Sequence, residues 1–204
     1  LRSSKFAKIF FYMQAAALNE LIRNRRSVFT KQFVAGKPID DEIIKQILCN
    51  ATWAPNHGHA EPWQFTVFCG EGLKKLATFQ SEFYKKNSGE NFLQGTYEKL
   101  QQTPLLASHI IAIGMKRTST GKIPEIEDVE AVACAVQNIY LSVSAYGLGG
   151  YWTTGGVTYK EEAKLFFNLT AEDKLLGFFY IGHVAVPSAP AKRKSIEEKV
   201  NWVT

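Results

Sequence analysis

The stretch from 105 to 146 decides the fold. It opens with LLASHIIAIG (Leu105–Gly114), in which Ile110-Ile111-Ala112-Ile113 runs without a polar break, and it closes with EIEDVEAVACAVQNIYLSVSAY (Glu125–Tyr146). A short apolar run with no alternation suits a strand buried on both faces, and therefore a place near the centre of a sheet. The second segment reads as a long helix. Glu125, Glu127, Asp128 and Glu130 crowd its first turns, where the helix dipole favours anions, and Gly147 can end it. Ala131 to Val136 is apolar all round, as expected of a helix buried on most sides. Such a strand and such a helix require layers on both sides of one sheet.

Working outward, Trp63–Cys69 has the β-branched and aromatic content of a strand and is bounded by Gly70. Before it, Pro38-Ile39-Asp40 opens a helix that Asp40 can cap, with an inner stripe of Ile43, Ile44, Ile47 and Leu48 and a stop at Trp53-Ala54-Pro55. Ala15 to Asn24 places Ala17, Leu18, Leu21 and Ile22 at helical spacing and runs into Arg25-Arg26-Ser27. Residues 71 to 103 read as helical but polar, with a break at Lys85 to Glu90, and suggest a mobile insertion or lid. Towards the C-terminus, Gly149 to Gly156 reads as a short extended turn, Tyr159 to Asn168 as a helix and Leu175 to Ala185 as a strand. The tail from Pro187 is polar and basic. Strands and helices mingle without regular alternation, so the expected class is α+β, in three layers, with one domain over residues 13–204.

The 204 residues, 46% apolar and 21% charged, are enough to bury about 70% of the unfolded surface, and exclude a disordered chain. No apolar run reaches the roughly 18 residues that span a bilayer. Cys49, Cys69 and Cys134 are isolated and odd in number, which disfavours a disulfide framework and a structural zinc site and fits a reducing, cytoplasmic setting. The net charge of +5 is concentrated at Arg2, Lys5 and Lys8; without them 21 basic residues face 19 acidic ones, which argues against a nucleic-acid partner. Residues 1–12 are read as an extension upstream of Met13, a basic then apolar segment too short for a signal peptide.

Generic catalytic signatures are missing: there is no GxxxxGK[ST], no GxGxxG after a strand, no HExxH and no GxSxG. His57-Gly58-His59 lacks further ligands at matching spacing, so no metal is expected. What remains is distributed. Arg25, Arg26 and Ser27 offer two guanidinium forks and a hydroxyl, suited to a phosphate monoester, although taken alone they read first as a basic C-cap complementing the helix dipole. Lys192-Arg193-Lys194 is a second basic cluster, or a solvated tail. Two tryptophan-bearing loops, Trp53 to Trp63 and Gly149 to Gly156, lie between. A flat aromatic ligand with a phosphate would use all four segments.

In the order Asn24-Arg25-Arg26-Ser27-Val28-Phe29, Pro38-Ile39, Ala54-Pro55-Asn56-His57-Gly58-His59-Ala60-Glu61-Pro62-Trp63-Gln64-Phe65, Gly147 to Gly155 and Leu176 to His183, the chain resembles the FMN-dependent nitroreductase family. It is most similar to the short, single-domain type with a histidine in the AP-x-H loop, and the resemblance covers about residues 13 to 200. It implies a three-layer α/β/α sandwich with a central, mostly antiparallel sheet and a long buried helix, assembled as a homodimer with FMN at the interface. By resemblance, Arg25 and Ser27 hold the phosphate and ribityl chain, with Arg26 adding backbone or charge. Arg193 and Lys192 reach the phosphate from the tail, His57 and Trp53 lie against the flavin, and Tyr151, Trp152 and Thr153 line its ring. Two departures stand out. Phe29 occupies the place where many members have a lysine, and His59 and Glu61 replace an asparagine and a glutamine.

The implied activity is ping-pong: NAD(P)H reduces the flavin, leaves, and a nitroaromatic, quinone or similar flat acceptor takes the electrons, with no essential acid, base or nucleophile among the side chains. A same-fold flavin dehydrogenase or dehalogenase shares every motif, and a non-enzymatic flavin carrier would bind FMN without oxidising NAD(P)H.

Overall fold

The computed structural model describes residues 14–118 and 121–204, so the reading of 1–12 as an upstream extension lies outside the described residues. Strands β1 (Trp63–Cys69), β2 (His109–Met115), β3 (Leu148–Thr153) and β4 (Lys174–His183) form one antiparallel sheet in the order β1-β2-β4-β3. The apolar run is central, and strand alternation divides it between two cores. Ile111, Ile113 and Met115 pack with Phe179 and Ile181 against α2 (Asp41–Ala51) and α5 (Glu125–Ala145). Ile110 and Ala112 pack with Phe178 and Tyr180 on the opposite face, with Leu73 and Leu76 of α3 (Glu71–Ser88) and Phe167. Helix α4 (Gln94–Gln102) leans on α3. The three-layer α+β expectation holds.

Local signals explain the ends. Asp40 Oδ1 accepts from the Glu42 N–H at 2.9 Å, so the expected cap of α2 is made. The break in 71–103 falls within the expected Lys85 to Glu90, at Gly89, whose φ of +50° turns the chain between α3 and α4. The helix expected over Tyr159 to Asn168 is present as a 3-10 helix, Glu161–Phe167, and ends on a left-handed Asn168.

The expected turn at Gly149–Gly156 is instead, up to Thr153, a paired strand, β3. Glycines hid its strand character, and close approach requires one of them: a Cβ on Gly149 would lie 2.9 Å from both Val28 and Val184 side chains. Helix α1 (14–24) is present, but Leu18 and Ile22 of its apolar stripe are about half exposed, at 51% and 48%. Helix α5 buries Val132, Ala135, Val136 and Ile139 and turns Cys134 outward. It is buried on the sheet side rather than all round.

A bulge shapes the end of β4. Ile113 pairs with Gly177 and Gly114 with Leu175, leaving Leu176 as the extra residue. Beyond it, Asp173 accepts from Arg117 N at 3.0 Å, Thr170 N at 2.8 Å and Thr170 Oγ1 at 2.9 Å. Burial alone would raise its pKa, but these bonds and the charge of Lys116 outweigh it and hold the carboxyl below the ordinary carboxylate range. A depressed folded pKa adds stability that is complete above the unfolded value of about 3.9 and is lost as pH falls through the folded value. Asp173→Asn is therefore expected to cost about 1–3 kcal/mol at pH 7. Thermal melts of the two proteins should converge as the pH drops from 5 towards 2.

Candidate flavin site

The N-terminal segment builds one half of the site. After α1 stops, Val28 N donates to Gly150 O at 3.0 Å, which lays residues 25–28 along the open edge of β3. Tyr140 of α5 is the hub, a residue that no sequence motif had marked. Its hydroxyl accepts from Trp152 N at 2.7 Å and, with that lone pair used, can donate to Ser27 Oγ at 3.3 Å. The Arg25 guanidinium lies over the Tyr140 ring, 4.7 Å from its centroid. Arg26 Nη1 donates to Arg23 O and Arg25 O, while its Nε is buried without a partner. No carboxylate pairs with Arg25 or Arg26 among the described residues. Two guanidinium groups, one with an orphaned buried N–H, and a Ser27 hydroxyl whose own proton is left to donate fit a phosphate monoester.

The tail is tethered to the same place. Ser188 Oγ donates to Ser27 O at 2.9 Å, and Gln32 Nε2 donates to Val186 O and Ser188 Oγ at 3.1 Å. Lys192 and Arg193 follow, exposed, four and five residues on, within about 18 Å of reach.

Strand alternation separates the three ring-lining candidates. The Trp152 indole packs on the α5 side and donates to Leu176 O at 2.9 Å, the carbonyl freed by the bulge. Tyr151 and Thr153 point to the other face, into a cavity of about 1280 Å³ beneath the α3–α4 hairpin. Tyr151 stacks on Tyr180 at 5.0 Å and meets Phe29 at 4.9 Å. Its phenol pKa is raised by burial, with the Thr30 hydroxyl pulling the other way. Thus Trp152 presents its backbone to the site, and Tyr151 and Thr153 their side chains. The polar 71–103 segment is a wall of this cavity.

Trp53 and His57 lie elsewhere. His57 Nδ1 donates to the Glu127 carboxylate in the first turn of α5, and Trp53 is 82% exposed. Glu127 and Tyr140 are separated by about 20 Å along the helix, so one chain does not bring His57 to Ser27. The loop that follows His57 is locally strained, since His59 and Glu61 hold positive φ of +53° and +44°, with Glu61 N donating to Asn56 Oδ1 at 3.0 Å. The Glu61 side chain faces solvent.

The fold also gathers Asp41, Cys69 and His109, whose ligand atoms lie within 4.8 Å of one another. Both His109 nitrogens are already engaged, by Asp41 at 3.0 Å and Ser108 at 2.9 Å.

Comparison with known proteins agrees with this architecture. Residues 22–183 match the sequence pattern of the Nitroreductase family. The chain is 29% identical over 164 residues to the protein named Putative NAD(P)H nitroreductase YdjA of Escherichia coli (strain K12), covering 80% of this chain and 86% of that one. A nitroreductase-like family protein from Bacillus cereus superposes with a TM-score of 0.74 at 28% identity, over 91% of this chain and 95% of the other. A Desulfovibrio desulfuricans structure described as a nitroreductase in complex with FMN gives 0.69 at 21% identity, with the same coverages, a likeness of fold. The antiparallel sheet, the long helix against it and the match over most of its length together place this chain in the Nitroreductase family.

Proposed function

We propose that the protein is an FMN-dependent oxidoreductase that uses NAD(P)H as hydride donor and passes electrons to a nitroaromatic, quinone or similarly flat acceptor in ping-pong fashion. The observation that carries this reading is the buried, unpartnered Arg26 Nε beside Arg25 and Ser27, with no carboxylate among the described residues to neutralise them. Bound FMN would supply hydride acceptance from the donor and delivery to the acceptor; the protein's part is to bind, orient and exclude water. Arg25, Arg26 and Ser27 hold the phosphate end, joined by Lys192 and Arg193 from the tethered tail. Tyr140 fixes Ser27 and the Trp152 amide relative to each other, and Tyr151 and Thr153 border the ring end. No side chain is assigned as acid, base or nucleophile.

The separation of His57 and Trp53 from Ser27 supports a homodimer in which the second copy's loop completes each site. The half-exposed stripe of α1 and the bare Trp53 supply apolar surface for that contact. The chain acts as one domain over 13–204. Among the described residues no helix is long and apolar enough to cross a membrane, and the three cysteines are unpaired, which supports a reducing, cytoplasmic setting.

The test is an absorption spectrum of the purified protein, repeated anaerobically with NADPH and then NADH. The expected result is a yellow flavin spectrum that bleaches with a nucleotide, co-eluting with a dimer on size exclusion, and parallel double-reciprocal lines with an acceptor. Bound flavin that never bleaches would indicate a carrier, and flavin retained by a monomer would remove the interface placement.

A further inference from the structure

We propose that the cavity beneath the α3–α4 hairpin binds a flat aromatic carboxylate, ring against the sheet and carboxylate at the mouth. That such a molecule is the electron acceptor rests on the function proposed above; that it binds does not.

The shape sets the class of ligand. At about 1280 Å³ the cavity exceeds the 300–1,000 Å³ usual for small-molecule sites. Its floor is Phe178 with the stacked Tyr151 and Tyr180, and Phe83 of α3 faces them, an arrangement of aromatic faces suited to a planar body.

The polar groups set its ends. Gln80 and Tyr180 are 4% and 6% exposed, both line the cavity, and neither side chain has a hydrogen-bond partner among the described residues. Their polar atoms are not sealed from solvent but open onto the cavity, so a ligand there can replace the water that otherwise partners them. Burial, and the neighbouring Tyr151 phenol, raise the Tyr180 pKa, so it remains a donor at neutral pH. Both can donate to an oxygen substituent at the deep end of the ligand.

At the mouth stand Lys31, Lys99 and Lys160, all exposed. None of the three has an ion-pair partner among the described residues, and no Asp or Glu lines the cavity. Three unneutralised cations over an apolar floor make a field that draws anions in and turns cations away. A neutral acceptor would leave that charge unused.

The test is isothermal titration of the purified protein with 6-hydroxy-2-naphthoate, 2-naphthoate and 6-hydroxy-2-naphthamide. The hydroxynaphthoate should bind at least tenfold tighter than the amide at low salt, with the margin shrinking as salt rises. Lys99→Glu with Lys160→Glu should weaken the carboxylates at least fivefold and leave the amide unchanged. Gln80→Leu should bring the hydroxynaphthoate down to the level of 2-naphthoate. Equal binding of amide and carboxylate, or no heat with any probe, would overturn the proposal. So would lysine variants that lose NADPH affinity while keeping naphthoate, since the cavity would then serve the donor's phosphates. The spectrum of the same sample separates the two readings. Flavin that bleaches in a protein indifferent to the carboxylate removes only this inference, and naphthoate binding to a protein without flavin removes only the proposed function.

Discussion

An Arg25→Ala protein is expected to leave purification largely without flavin. The Arg25 guanidinium is held flat over Tyr140 with no carboxylate drawing on its donors among the described residues, so its fork is free for a phosphate. Hydrogen bonds to charged groups contribute about 1.5–3 kcal/mol each, which corresponds to a rise of about 10- to 150-fold in the FMN Kd. Arg25→Lys should fall between, because it keeps the charge and loses the planar fork. The measurement is the flavin-to-protein ratio after desalting, followed by a fluorescence titration of added FMN. Circular dichroism should be unchanged, since no ion pair with Arg25 is broken. Full flavin content in the alanine variant would remove Arg25 from the phosphate site.

Gly177→Ala is expected to carry the largest stability cost of any single methyl group near the site. Gly177 sits at φ +119°, a conformation that L side chains rarely adopt, and a Cβ there would lie 2.3 Å from Thr153 O and 2.9 Å from the Trp152 indole nitrogen. Neither neighbour can yield cheaply. The carbonyl belongs to the paired β3–β4 backbone, and the indole is pinned by its bond to Leu176 O. Backbone strain and overpacking together amount to about 3–5 kcal/mol. Denaturant titration should show a lowered midpoint, and tryptophan fluorescence should report the displaced indole before global unfolding. A variant as stable as the parent would mean that the bulge relaxes freely.

What was legible in the sequence follows from what each signal encodes. The run Ile110–Ile113 announced a doubly buried strand because both its faces had to be apolar, and α2 announced itself through a cap that Asp40 makes. Strand β3 was misread because its glycines serve close approach by Val28, and pairing rather than propensity makes it a strand. The stretch around 163 was legible as a helix, but its 3-10 form is a difference of hydrogen-bond partner that residue types do not record. Within the candidate site, the Arg25–Ser27 cluster was visible as residue types. Tyr140 was not, since its role depends on meeting Ser27 and Trp152 across more than a hundred residues of chain in one case and twelve in the other. Tyr151 and Trp152 could be named as aromatic, yet only the pleat assigns them to opposite faces. Gln80 and Tyr180 stand out only once burial and missing partners are known.

The open edge of β3 has one further consequence. An uncovered edge strand is a template on which another chain can add itself, the first step towards insoluble assemblies. Here the Gly150 carbonyl is taken by Val28 and the Trp152 amide by the Tyr140 hydroxyl, so the contacts that arrange Arg25 and Ser27 also occupy the groups a stray strand would need. On the proposed function, solubility and cofactor capture share the same few hydrogen bonds, so a substitution that breaks them is expected to damage both.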